Sequence, residues 1–149
     1  MTASILVPAS ADCGGLPARS VKATVMSLHS NAGDLRLVLE SPLGAQFTLL
    51  SRAREGLGAP LGSCAGDNLD TTFGDGASAT AFCGELSPAV GRQRAPETGM
   101  GALVGPIQSG TWFLHVADLS DGGDGLLTNW VLNFTCDSEL ELFTDAFED

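Results

Sequence analysis

The sequence predicts an all-β protein, an antiparallel sandwich or barrel around a single core. Apolar residues recur with period two in five separate stretches, as strands with one buried face require. Gly, Pro, Asn and Asp punctuate those stretches, and no amphipathic helix of useful length occurs among the 149 residues. A chain this long fits one domain and buries roughly two thirds of its unfolded surface, so no cofactor is obligatory for folding.

The elements follow in order. Residues 1–12 read as a flexible N-terminal segment; MTASILVPAS lacks the basic start and long apolar run of an intact export signal, so any such signal is expected to have been removed. In VKATVMSL, Val21, Ala23 and Val25 alternate with Lys22 and Thr24. LRLVLE places Leu35, Leu37 and Leu39 on one face. Ser41, Pro42, Leu43 and Gly44 then form a turn, and AQFTLL completes a hairpin over residues 35–50. Residues 51–110 show little periodicity, with short strands expected near 71–73 and 80–82. TWFLHVA aligns Trp112, Leu114 and Val116, and NWVLNFTC aligns Trp130, Leu132, Phe134 and Cys136. The predicted domain spans residues 13–136. Residues 137–149 form an acidic tail with Leu140, Leu142, Phe143 and Phe147; it resembles the endings of some exported proteobacterial proteins, so the chain is expected to stop at its natural C-terminus.

Charge excludes whole function classes. Eighteen acids face seven bases, all seven lie before residue 95, and ten acids follow from Glu97 to Asp149. Neither a phosphate backbone nor an anionic lipid surface fits that distribution, and no apolar run is long enough to insert in a membrane, so nucleic acid and membrane are not expected partners. Cys13, Cys64, Cys83 and Cys136 have no zinc-like spacing. Of the three possible connectivities the pattern favours Cys64 with Cys83, flanking one Gly- and Asp-rich loop, and Cys13 with Cys136, tying the ends of the domain; small reduced core thiols are the alternative. Paired cysteines and acidity suit a secreted or otherwise extracytoplasmic protein of bacterial type.

Three motifs occur in order: His29 with Gly33, Asp34 and Leu35, followed by Ser41, Pro42 and Gly44; Phe73 with Asp75; and Gly110, Thr111 and Trp112 with Asp118, Gly125 and Trp130. From about Val21 to Thr135 the chain resembles the P domain, or Homo B domain, that follows the catalytic domain of kexin- and furin-like subtilisin proteases and recurs in bacterial secreted proteins. The resemblance implies a jelly-roll-like antiparallel β-sandwich of about eight strands. It also implies a missing partner, a subtilisin-like serine endopeptidase domain in cis or in trans, because an Asp–His–Ser machinery on an α/β fold has no counterpart here. The implied role is non-catalytic: to fold against a protease and stabilise it. The alternative is an exported binding or adhesion module for a glycan or a protein.

Two acidic clusters are candidate Ca²⁺ ligands: Asp118, Asp121 and Asp124 in DLSDGGDG, and Asp67, Asp70 and Asp75. Hard oxygen donors on glycine-rich loops are what Ca²⁺ prefers, and members of the family that the chain resembles often bind it; neither stretch matches an EF-hand, and solvated turn aspartates are the alternative. Asp34, beside Gly33, is expected to cap a turn, and His29 to bond a neighbouring strand or loop rather than act as a base. The sequon Asn133-Phe134-Thr135 falls in an expected core strand and reads as coincidence.

Overall fold

In a computed structural model the chain forms a β-sandwich of eight strands in two four-stranded sheets, and the structure describes residues 1–9, 13–14, 16–54, 58–77, 88, 90–119 and 125–136. The strands are β1 (Thr2–Val7), β2 (Ala18–His29), β3 (Leu35–Glu40), β4 (Gln46–Ser51), β5 (Leu69–Phe73), β6 (Val90–Arg94), β7 (Gly110–Asp118) and β8 (Gly125–Cys136). One sheet runs β1-β7-β3-β4 and the other β6-β5-β2-β8. Every pairing between them is antiparallel except β5 with β6, which is parallel, with Leu69 opposite Val90 and Phe73 opposite Arg94. A parallel pair needs a long crossover, and the low-periodicity stretch between Phe73 and Val90 supplies the length.

Period two decides which side chains fill the space between the sheets. Val21, Ala23 and Val25 of β2, Leu35, Leu37 and Leu39 of β3, and Trp112 and Leu114 of β7 are all buried. On β4 Phe47, Leu49 and Leu50 are buried together, because the register slips between Leu37 and Val38 and leaves Leu49 as an extra residue in the ladder. Trp112, 1% exposed, meets Phe134 of the opposite sheet edge-on with centroids 5.8 Å apart, and its indole N–H donates to the Gln108 carbonyl at 3.0 Å. At the Ser41–Gly44 turn Gly44 N–H donates to Ser41 O at 2.9 Å, with Gly44 at φ +90°, where glycine carries no steric cost. Pro42 packs on Gly110, where a Cβ would come within 3.0 Å of the proline ring.

One expectation needs correction, and one strand has no counterpart among the expectations. The segment 1–12, read as flexible, contributes β1, which pairs with β7 from Thr2 opposite His115 to Val7 opposite Gly110; Ala3, Ile5 and Val7 face the core, and the outward Leu6, 71% exposed, blurs that alternation into a short apolar run. Strand β6, VGRQR, carries no apolar alternation beyond Val90 and was not visible in the middle stretch. The expected strand near 80–82 lies outside the described residues, as does the tail 137–149. Cys13 and Cys136 are joined by a disulfide that ties the start of the domain to the end of β8. Cys64 is also disulfide-bonded; its expected partner, Cys83, lies outside the described residues.

Candidate functional site

The last five residues of β2 reverse the usual polarity of a strand. After Val25, the inward positions hold Ser27 and His29, both 3% exposed, while the outward positions hold Met26 and Leu28, 38% and 51% exposed. Putting polar groups inside and apolar groups outside costs stability unless the former are bonded and the latter are covered.

His29 is fully bonded. Its Nδ1 accepts the Asn31 backbone N–H at 3.0 Å, so the ring proton sits on Nε2, which donates to Asp118 Oδ2 at 2.9 Å. The backbone of His29 exchanges two bonds with Asn68: its N–H donates to Asn68 Oδ1 at 2.9 Å, and its carbonyl accepts the Asn68 N–H at 3.0 Å. Asn68 holds φ +67°, a conformation Asn tolerates better than most residues. Gly125 lies against the ring, where a Cβ would be 2.5 Å from Cδ2. The side chain of His29 thus ties the turn after β2 to the end of β7 and packs on the start of β8, while its backbone holds the Asp67-Asn68 loop.

Ser27, His29 and Asp118 together line a cavity of about 340 Å³ with Leu35, Val116 and Leu126 among its walls. Composition alone suggests a hydrolytic triad, and geometry denies it. Both imidazole nitrogens are committed, and the Ser27 hydroxyl donates to the Leu126 carbonyl at 3.3 Å, so Ser27 and His29 form no nucleophile–base pair. The second histidine, His115, bonds Thr2 Oγ1 through Nδ1 at 3.0 Å and Glu40 Oε2 through Nε2 at 2.9 Å on the open outer face of the other sheet.

The predicted metal ligands do not assemble among the described residues. Asp75 Oδ1 accepts the Met100 N–H at 3.0 Å and pins the 99–103 loop. Asp70 points outward from β5 and is exposed, and Asp67 lines an open hollow of about 400 Å³ beside His29 and Asn68. No three acidic, His or Cys side chains among the described residues converge as a metal-binding group. Asp118 is committed to His29, and Asp121 and Asp124 lie outside the described residues. The Asp67, Asp70 and Asp75 side chains therefore do not converge on a common point.

The turn expected to be capped by Asp34 is capped by Asn31, whose Oδ1 accepts the Gly33 N–H at 3.1 Å; Asp34 contributes its backbone, its carbonyl accepting the Leu119 N–H at 2.8 Å. Gly33 is needed for close approach rather than for φ, since a Cβ there would lie 2.6 Å from Cys64 O and 2.7 Å from Gly62 O. Asn133 of the sequon is exposed on the outer face of β8, opposite Lys22, and not in the core. Trp130 is 9% exposed and belongs to the core.

Above the His29 hub, Met26 and Leu28 of β2 share the outer face of the second sheet with Leu126 and Val131 of β8, all four exposed, with Leu28 directly opposite Leu126 and Val131 opposite Thr24. Asn31 and Asn68, which complete the hub, were missed in the sequence; the available signal was the MSLH pattern, where polarity inverts.

A model of the proprotein convertase P-domain matches residues 18–134, well over half of the chain. The chain belongs to the proprotein convertase P-domain family, an accessory domain of subtilisin-like proteases. Among solved structures it is similar to the crystal structure of Aeromonas sobria serine protease (ASP) and the chaperone (ORF2) complex, at 18% identity and a TM-score of 0.40, over 93% of this chain and 27% of that one. The alignment thus spans about a quarter of the other chain's length. No curated protein matches.

Proposed function

We propose that this chain is a non-catalytic P domain that packs against a secreted subtilisin-like serine endopeptidase domain, in cis or in trans, and stabilises it. Family membership over residues 18–134 carries the reading, and the committed Ser27 and His29 support a role without hydrolysis of its own. The docking face is the exposed apolar group Met26, Leu28, Leu126 and Val131, since burying it removes the cost of the inverted strand end. The disulfide suits an extracytoplasmic site of action; among the described residues no helix is long and apolar enough to cross a membrane.

Calcium enters this reading at the loop that holds Asp118, Asp121 and Asp124, three acids within seven residues. Thermal melts with calcium or with a chelator check it: a melting temperature raised by calcium in the native chain but not in Asp121→Asn/Asp124→Asn supports the loop, and superimposed melts reject it.

The partnership is tested with the subtilisin-like domain from the same source, heated with and without this chain. The native chain extends the protease's half-life, whereas Leu28→Asp/Leu126→Asp, substituted at exposed positions and folded, does not. No protection by the native chain, or equal protection by the variant, rejects the proposal.

A further inference from the structure

The sandwich is electrically lopsided. Five of its seven bases, Arg36, Arg52, Arg54, Arg92 and Arg94, gather along one side: Arg36 opposite Ser51 where β3 meets β4, Arg52 and Arg54 just beyond β4, and Arg92 and Arg94 on β6. The edges β4 and β6 adjoin. Three residues past Arg94 the chain reaches Glu97, whose N–H donates to Leu49 O at 3.3 Å, and then Thr98, whose N–H donates to Thr48 O at 2.8 Å, so the backbone steps from β6 to β4. On the other side, β1 and β8 hold no charged residue at all.

No carboxylate of the described residues lies within 4 Å of any of the five guanidinium groups; a single one, Glu97, is near enough for the charges of Arg54 and Arg36 to act on it, which leaves the edge with an excess of positive charge. The Nε atoms of Arg52 and Arg94 are in addition buried without a hydrogen-bond partner among the described residues, a condition that native proteins rarely leave uncompensated. Arg52 is held in place by a left-handed backbone, φ +54°, with Nη2 close over Gly62, where a Cβ would come within 2.7 Å. Exposed Leu61 adds an apolar spot beside it.

We propose that this arginine edge binds an acidic, partly apolar extended peptide, and that its occupant is the chain's own segment 137–149. That segment carries six carboxylates and four large apolar residues, with Glu139 and Glu141 alternating with Leu140 and Leu142, and no base. It leaves the sandwich at Cys136 on β8. Thirteen residues reach at most about 43–47 Å, whereas four strands span only about 15 Å, so the far edge is within range. Exposed ion pairs are individually weak, but a tethered segment acts at an effective concentration of order millimolar, so weak pairs suffice to hold it.

The test uses the full chain, with the arginine Nε–Hε resonances followed by NMR. Replacing Glu139→Gln, Glu141→Gln and Asp145→Asn together, or raising salt to about 1 M so that screening acts within about 3 Å, shifts the Arg52 and Arg94 signals alike. A synthetic peptide of residues 137–149 added to the tail-neutralised chain restores the original positions, and binds about tenfold more weakly when Arg36 and Arg92 are changed to Glu. Arginine signals indifferent to the tail overturn the proposal. Shifts that grow with protein concentration also overturn it, because they assign the contact to a second copy.

Discussion

His29→Ala removes the side chain that ties the Asn31 turn to the end of β7 and packs on Gly125, and the structure sets the size of the loss. The ring makes two hydrogen bonds, and its removal strands the Asn31 N–H, at about 1–3 kcal/mol for an unpaired buried donor. Deleting most of a 1%-exposed ring also leaves a void, adding about 2 kcal/mol if the walls relax only in part. Together these predict a loss of about 3–5 kcal/mol, large against a typical total stability of about 5–15 kcal/mol. Urea unfolding followed by the fluorescence of Trp112 and Trp130, both core residues, measures it directly. A loss below about 0.5 kcal/mol, the range of ordinary surface substitutions, refutes the hub. The same preparation tests the companion claim that Ser27 is inert: the native chain should not react with a fluorophosphonate, and labelling at Ser27 would show that its hydroxyl and His29 are not committed as described.

Gly33→Ala should destabilise strongly, because the new methyl meets two backbone carbonyls, of Cys64 and Gly62, that cannot swing aside; a melting temperature within a degree or two of the parent would deny the close approach. Replacing both Cys13 and Cys136 by Ala opens a loop closed across 123 residues, and the chain-entropy relation puts the loss at about 5 kcal/mol at most; unchanged unfolding would mean that the bridge constrains nothing. Desolvation raises the Glu97 pKa, outweighing Arg54, the Ser51 backbone and Arg36, so ionised Glu97 disfavours folding. This penalty is absent at pH values below the ordinary 4.5 and sets in as pH rises through the elevated folded value. Glu97→Gln should therefore stabilise slightly at pH 7 and have no effect in acid; the opposite pH trend would reverse the assignment.

Much of this fold was legible because period two survives wherever a strand buries one whole face. The Leu35–Leu39 and Trp112–Leu114 patterns were read with the right inward residues, and the Ser41–Gly44 turn with its glycine in the right place. Strands β1 and β6 are both edge strands but escaped for different reasons: in β1 the inward Ala3, Ile5 and Val7 do alternate, but outward Leu6 merges with its neighbours into the short apolar run Ile5-Leu6-Val7, whereas β6 gives the core only Val90 and has no alternation to detect. The site was harder still. His29 was rightly expected to bond a neighbouring loop, yet its partners Asn31 and Asn68 depend on a left-handed residue and a single helical turn that composition does not mark. Asp34 was favoured as a cap by its position beside glycine, but the residue that precedes the turn, Asn31, had the geometry to reach the Gly33 N–H. Clustered aspartates suggested shared ligation, and β5 separates them: Asp70 is turned outward while Asp75 is drawn to Met100.

The central claim, that the chain serves a protease rather than acting alone, is tested most directly by the native polypeptide that carries it. An antibody to the sandwich, applied to secretions of the source organism and followed by mass spectrometry of the captured material, shows what accompanies the domain. Peptides of a subtilisin-like catalytic domain, on the same polypeptide or co-purifying with it, are the expected result. Capture of the domain in a polypeptide with no such sequence and no protease alongside would contradict it.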